Sequence, residues 1–271
     1  NYYRWKKRII FLNLFILFEN IIFRSAYSIN FVSFGFSSSF YGFDRFLKAG
    51  KPIITNFTNG LSPKYRKSIS KAFNSKKRKK TSFKIIYAGN LGKAQDIVTL
   101  LKALKQNNKV LLKMNEEKIK LEIYGSGIQL KLINEILNES NKNKNLISKV
   151  VSYKGLVSSD EIIDIYASAD CLLLNLGKYI SLSTVIPSKI FEYSATPLPI
   201  VFDAGGYTKD FIKNIDGSIL FNQLDSKDFY KAIKKAKKIS VKKTERDSFL
   251  DLYDSDKIYE SYINQILNKK S

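Results

Sequence analysis

The segment KVVSYKGLVSSDEIIDIYASADCLLLNL, Lys149–Leu176, determines the fold that the sequence predicts. It opens with a short apolar run that ends at Gly155 and closes with a second apolar run, Cys171–Leu176. Between the runs, Ser158 and Glu161 have the spacing of a capping box, which predicts the start of a helix. A strand, a helix and another strand in this order predict two parallel strands in one sheet.

The same alternation continues on both sides of this segment. Six apolar runs predict strands: Lys84–Gly89, Lys120–Gly127, Lys149–Gly155, Cys171–Leu176, Leu198–Phe202 and Gly217–Asn222. Helical patterns separate the runs. Apolar strands that alternate with helices predict an α/β domain, a doubly wound parallel sheet covered by helices on both faces. Ligands of such sheets bind at the carboxyl ends of the strands, where glycine recurs in this chain.

The regions outside this sheet predict shorter pieces. Residues 1–62 predict a helix at 4–24, a strand at 27–33, a helix at 38–48, a strand at 51–57 and a turn at Thr58–Gly60. A sheet domain needs about 100 residues or more, so we expect residues 1–62 to be the end of a first sheet domain. Residues 63–82 are rich in lysine and arginine and predict a basic linker or a charged surface segment. We expect residues 83–240 to form the complete sheet domain and residues 241–271 a C-terminal helical segment.

The composition excludes several kinds of chemistry. The chain of 271 residues has no histidine and one cysteine, Cys171. Ser-His-Asp and Cys-His catalysis, histidine-based metal sites and an internal disulfide are therefore excluded, and no metal site is predicted. The net charge is +22, which indicates a negatively charged partner such as a phosphorylated ligand, an anionic membrane or nucleic acid. The alternative is a solvated, lysine-rich surface.

The most apolar segment of the chain is RIIFLNLFILFENIIF, Arg8–Phe23. It is too short for a spanning helix and contains Asn13, Glu19 and Asn20. Basic residues precede it, as in helices that lie on an anionic membrane surface. A helix buried within a domain has the same pattern, so both alternatives remain open.

The segment PSKIFEY, from Pro187 onwards, combines a helix start with two charged side chains. Proline suits the first turn of a helix, whose exposed N–H groups and dipole favour an anion, and Lys189 adds a full positive charge. Glu192 lies one turn further on, where a carboxylate can accept hydrogen bonds from two ribose hydroxyls. The alternative is a surface Glu–Lys pair with i, i+3 spacing.

Four motifs in order resemble glycosyltransferase family 4, whose members have the two-domain GT-B architecture. PSKIFEYSATPLPIV resembles the PSKxxEYxAxGxPIV segment, and AGNLGKAQDI resembles a loop of the branch that assembles bacterial surface polysaccharides. YKGLVSSDEIIDIYASADCLLL and the TNG turn resemble two further family motifs. The resemblance implies a retaining, metal-independent transfer of a sugar from a nucleotide diphosphate sugar, with UDP as the expected nucleotide and no cofactor. It makes residues 83–240 the nucleotide-sugar-binding domain and residues 1–62 the remnant of the acceptor domain.

The resemblance also implies roles for individual residues. Lys189 and Lys93 are the expected catalytic residues, because they would stabilise the departing diphosphate. Glu192 matches the ribose-binding glutamate of the family. The remaining residues expected to bind the nucleotide sugar are Gly89, Asn90, Gly92, Gly125, Gly127, Leu156, Val157, Pro187 and Ser188.

The chain departs from the family pattern at several positions. The first glutamate of the family's E-x7-E pair falls at Thr184, so that carboxylate is missing. Asn90 and Gln95 stand where the common form has arginine and lysine, a difference that the surface-polysaccharide branch shares. An alternative to an active enzyme is therefore an inactive or split-subunit fragment that binds a nucleotide sugar without transferring the sugar by itself.

The expected partners follow from the same resemblance. They are a nucleotide diphosphate sugar donor, a glycan or polyprenyl-linked acceptor, an anionic membrane surface and a separate N-terminal half. The expected location is the cytoplasm, at the inner face of the cell membrane. A nucleotide-sugar epimerase is disfavoured because such enzymes usually need a histidine. Nucleic acid is not an expected partner, since no recognition motif accompanies the basic segment.

Overall fold

A computed structural model describes residues 2–39, 52–75, 81–138 and 146–268. The chain divides into two compact units, one formed by Asn1–Thr58 with Lys257–Ser271 and the other by Asn59–Asp256. These boundaries differ from the predicted ones, because residues 59–82 and 241–256 join the larger unit. The predicted domain names remain predictions.

The smaller unit begins with helix α1, Tyr2–Ser25. It continues with strand β1, Ser28–Asn30, helix α2, Phe34–Ser39, and strand β2, Ile53–Thr55. Strands β1 and β2 pair in parallel. The two predicted strands are thus confirmed in shorter form, whereas most of the predicted helix at 38–48 lies outside the described residues.

Between Phe11 and Ile22, helix α1 leaves its apolar side chains exposed. Phe11, Phe15 and Phe18 have exposed fractions of 76%, 66% and 69%. Of the two alternatives for this segment, burial within the unit is therefore not what the structure shows. Within the described ranges, no helix has the length and apolar character needed to cross a membrane.

The larger unit contains a six-stranded parallel sheet with the strand order β5-β4-β3-β6-β7-β8. All six predicted strands are confirmed: β3 Phe83–Ala88, β4 Ile119–Tyr124, β5 Val151–Gly155, β6 Cys171–Asn175, β7 Ile200–Asp203 and β8 Ser218–Leu220. The order reverses direction between β3 and β6. The sheet is therefore doubly wound, and this switch point is where ligands of such sheets bind.

Helices cover both faces of this sheet and bury two apolar clusters against it. In chain order they are α3 Pro63–Ser75, α4 Ile97–Lys105, α5 Asn108–Glu116, α6 Leu130–Asn138, α7 Leu146–Val150, α8 Glu161–Ala167, α9 Lys189–Ser194, α10 Gly206–Lys213, α11 Ser226–Ala236 and α12 Lys243–Leu252. The last described helix, α13, is Ser255–Asn268, and its residues from Lys257 onwards belong to the smaller unit. The capping box before α8 is confirmed, since the Ser158 backbone N–H donates to Glu161 Oε2 at 2.9 Å and the Glu161 N–H to Ser158 Oγ at 3.3 Å.

Two predictions of secondary structure need correction. Lys149 and Val150 end helix α7, so strand β5 begins at Val151. Helix α3 occupies much of the segment predicted as a basic linker or charged surface, and its Ile69 is completely buried. Among the many lysines of this segment, Tyr65, Ile69 and Phe73 recur at four-residue spacing and form an apolar stripe. This stripe packs against the rest of the larger unit.

Candidate nucleotide-sugar site

A cavity of about 640 Å³ lies at the carboxyl edge of the sheet in the larger unit. Its walls come from the loops after β3, β4 and β5, the first turn of α9 and the beginning of α3. Seven residues predicted for the site line it: Gly89, Asn90, Gly125, Leu156, Val157, Lys189 and Glu192. The fold thus brings together residues that are more than 100 positions apart in the sequence.

Two glycine-containing loops pack against each other at the base of the cavity. Gly125 has a φ of +130°, and a Cβ atom added to it would lie 1.8 Å from the carbonyl oxygen of Gly89. A Cβ atom on Gly127 would lie 2.6 Å from the carbonyl oxygen of Leu91. Only glycine permits this close approach of two backbones, so these glycines shape the loops that line the site.

Glu192 and Lys189 form the charged part of the cavity wall. Lys189 Nζ lies 2.9 Å from Glu192 Oε2, and the exposed fractions of the two side chains are 34% and 19%. The ion pair with i, i+3 spacing that was predicted as an alternative is therefore present. It lines the cavity and does not lie on an open surface. The ammonium group therefore faces a carboxylate in the structure, and both groups remain accessible from the cavity.

Two tyrosines that sequence reasoning missed also lie close to Glu192. The Tyr166 hydroxyl donates to Glu192 Oε2 at 2.9 Å and accepts from Lys189 Nζ at 3.0 Å. Tyr65, from α3, lines the cavity together with Glu192, and burial together with the nearby charge of Glu192 raises the pKa of its hydroxyl to about 12. Both tyrosines are far from Glu192 in sequence. The available signals were their places on apolar helix faces, Tyr65 with Ile69 and Tyr166 with Ile162.

The other predicted residues are near residues of the cavity wall in the sequence but do not line the cavity. They are Lys93 and Gly92 in the loop after β3, Gly127 in the loop after β4, and Pro187 and Ser188 directly before α9. Lys93 and Ser188 are exposed. Their predicted roles in binding or catalysis therefore remain proposals.

The position of the missing glutamate holds a hydroxyl group with a local partner. Thr184 follows a short 3-10 helix, Ile180–Ser183, and its Oγ1 donates to the carbonyl oxygen of Ser181 at 3.0 Å. The side chain thus supplies no charge to the site. Across the parts of the chain that the structure describes, no cluster of three or more carboxylate or cysteine side chains is arranged to hold a metal ion.

Solved structures share this fold over most of the chain. A UDP-forming α,α-trehalose-phosphate synthase from Burkholderia xenovorans is 12% identical, with a TM-score of 0.68, and the match covers 91% of this chain and 62% of that protein. HepE from Anabaena, in complex with UDP, is 13% identical with a TM-score of 0.63, covering 92% and 66%. The galactosyltransferase WaaB of the lipopolysaccharide outer core, in its apo form, is 14% identical with a TM-score of 0.58, covering 90% and 62%.

The chain spans about 62–66% of the length of these solved structures, and identities of 12–14% establish a shared fold alone. No curated protein sequence matches the chain.

The family model provides a separate, sequence-based comparison. The model described as "Glycosyl transferases group 1" matches residues 68–248, more than half of the chain. The matched region contains the six-stranded sheet and nearly all of the cavity wall. With its α/β, Rossmann-like GT-B fold, the chain belongs to the group 1 glycosyl transferases.

Proposed function

We propose that the chain binds a nucleotide diphosphate sugar in this cavity and transfers the sugar to a glycan or lipid-linked acceptor. The observation that carries the proposal is the position of Glu192, an accessible carboxylate in a cavity built from glycine loops at the carboxyl edge of the sheet. The glycine loops admit a diphosphate close to backbone N–H groups, and the carboxylate can accept the two ribose hydroxyls. UDP is the proposed nucleotide because the similar HepE structure holds UDP.

The proposed chemistry is retaining and independent of metal. Lys189 and Lys93, with backbone N–H groups at the loops, would stabilise the negative charge that develops on the leaving diphosphate. The acceptor hydroxyl would attack the anomeric carbon from the face that the diphosphate leaves. In this proposal, Leu156 and Val157 contact the base, which agrees with their place on the cavity wall.

The proposed setting is the synthesis of surface polysaccharide at the inner face of the cell membrane, in the cytoplasm. The exposed apolar side chains of α1 and the net charge of +22 both suit an anionic lipid surface. Flotation of the protein with anionic liposomes at low and high salt tests this contact. An alternative is that the chain binds the donor and transfers the sugar only together with a separate N-terminal half.

Calorimetric titration with UDP tests donor binding. We expect Glu192→Ala to weaken UDP binding roughly 100-fold, because two hydrogen bonds between ribose and a charged group are lost. Glu117→Ala is the matched control, since Glu117 is also bound by a tyrosine and lysines but lies outside the cavity. Unchanged affinity in Glu192→Ala, or an equal loss in both variants, would contradict the ribose role. Release of UDP from UDP-sugars in the presence of acceptor then separates transfer from binding alone.

A further inference from the structure

Tyr166 is a buried polar residue directly behind the cavity wall. Its side chain is completely buried, and its ring packs edge-on against Tyr193 with a centroid distance of 5.5 Å. Its hydroxyl group nevertheless reaches the charged pair of the cavity, Glu192 and Lys189. The ring thus belongs to the core, whereas the hydroxyl belongs to the site.

The chemistry of the three groups fixes the direction of each hydrogen bond. A lysine ammonium group can only donate, and an ionised carboxylate can only accept. The Tyr166 hydroxyl must therefore accept from Lys189 and donate its single proton to Glu192. Burial, with Tyr193 and Glu192 nearby, raises the pKa of this hydroxyl, so it remains a donor at any pH at which the protein works.

The resulting arrangement holds one oxygen of the carboxylate. Tyr166 and Lys189 both bind Glu192 Oε2, and Lys189 closes the triangle through its bond to the tyrosine hydroxyl. A glutamate side chain without such partners samples several rotamers, and binding a ligand then costs the entropy of ordering it. Since Tyr166 is held rigidly by the core, it can hold the carboxylate in one orientation before the ligand arrives.

We propose that Tyr166 is a positioning residue for the donor site: it fixes the carboxylate of Glu192 in the orientation that receives the ribose of a nucleoside diphosphate. The inference deepens the proposed function and rests on it. Tyr166 acts through Glu192 and is not itself a ligand contact, since it does not line the cavity.

Titration of Tyr166→Phe with UDP and with uridine tests the inference. Phenylalanine keeps the buried ring and removes only the hydroxyl. We expect both ligands to bind about tenfold more weakly, by the same factor, because both contain the ribose that Glu192 binds. In a Glu192→Ala background, Tyr166→Phe should cause no further loss, since the two residues act as one unit.

Tyr230→Phe is the matched control. Tyr230 also donates to a carboxylate, that of Glu117, but at a position outside the cavity. Tyr230→Phe should leave both affinities unchanged. It also removes a hydrogen bond between a tyrosine and a carboxylate, so it should lower the free energy of unfolding. Wild-type affinity in Tyr166→Phe, or losses that add in the double variant, would overturn the inference.

A crystal structure of unliganded Tyr166→Phe makes the test independent of the nucleotide. We expect the Glu192 carboxylate to be displaced or to occupy several rotamers, whereas an unchanged carboxylate would overturn the positioning role. If the wild-type protein binds neither UDP nor uridine, the proposed function fails. The crystal structure then decides alone whether Tyr166 positions Glu192.

Discussion

Two carboxylates of the larger unit are held by the same kinds of side chain at opposite edges of one sheet. Glu192 lies at the carboxyl edge, in the first turn of α9, and is bound by a tyrosine and a lysine. Glu117 lies two residues before β4, at the amino edge, and is bound by a tyrosine and two lysines. The two clusters therefore use the same kinds of side chain at different places in the fold.

The difference lies in what each carboxylate can still bind. Both oxygens of Glu117 are occupied, Oε1 by Lys234 at 2.9 Å and by Tyr230, and Oε2 by Lys237 at 2.8 Å. Tyr166 and Lys189 instead share Oε2 of Glu192, and the carboxylate lies on a cavity lined by glycine loops. A carboxylate bound by tyrosine and lysine is thus not a candidate site by itself. It becomes one only at the carboxyl edge of the sheet, where the loops form a cavity for a ligand.

The largest effect on stability and UDP binding that we expect comes from a substitution in the glycine loops of the cavity. Gly125→Ala places a Cβ atom 1.8 Å from the Gly89 carbonyl oxygen, at a φ of +130°. The added strain and the forced shift of the loop should lower the free energy of unfolding by roughly 3–5 kcal/mol. Urea denaturation measures this loss, and UDP binding should be lost with it.

Gly155→Ala is the control for this substitution. Gly155 also has a positive φ, +96°, but no atom lies within 4 Å of the added Cβ. Only the backbone strain remains, so we expect a loss of about 1–2 kcal/mol and UDP binding close to that of the wild type. Similar losses in the two variants would mean that loop contact is unimportant and that the carboxyl edge is not shaped by its glycines.

The sequence predicted the sheet and the charged pair because both are local patterns. Each strand is an apolar run that can be seen by itself, and Lys189 and Glu192 lie three residues apart on one helix. The hydrogen bond to Glu192 from Tyr166, 26 positions away, and the place of Tyr65 on the same cavity wall depend on how distant helices pack. No spacing rule predicts such arrangements, so the tyrosines near Glu192 could be identified only from the structure.

The comparison also separates the two lysines expected to act in catalysis. Lys189 lines the cavity beside Glu192, whereas Lys93 is exposed in the loop after β3 and does not line it. We expect Lys189→Ala to weaken UDP binding about tenfold and uridine binding less, because the ammonium group would act mainly on the phosphates. Lys93→Ala should weaken UDP binding less than Lys189→Ala does.

Titration of each lysine variant with both ligands provides the measurement. An equal loss of UDP and uridine in Lys189→Ala would mean that this lysine supports Glu192 and does not bind the diphosphate. A larger loss of UDP in Lys93→Ala than in Lys189→Ala would mean that the loop after β3 moves towards the ligand when it binds.

The smallest expected effect concerns Glu117 and depends on pH. Burial opposes ionisation of Glu117, but hydrogen bonds from Lys237, Tyr230 and Lys234 outweigh it and lower its pKa to about 2. In the unfolded chain this pKa is near 4.5, so the carboxylate stabilises the folded protein above pH 4.5 and loses that contribution as pH falls towards 2. Glu117→Gln should therefore lower the free energy of unfolding by about 1 kcal/mol at pH 7 and by progressively less below pH 4.5. Urea denaturation at pH 7, 5 and 3 measures this difference. A difference that does not change with pH would show that Glu117 acts through packing and not through its charge, which would remove the electrostatic parallel with Glu192.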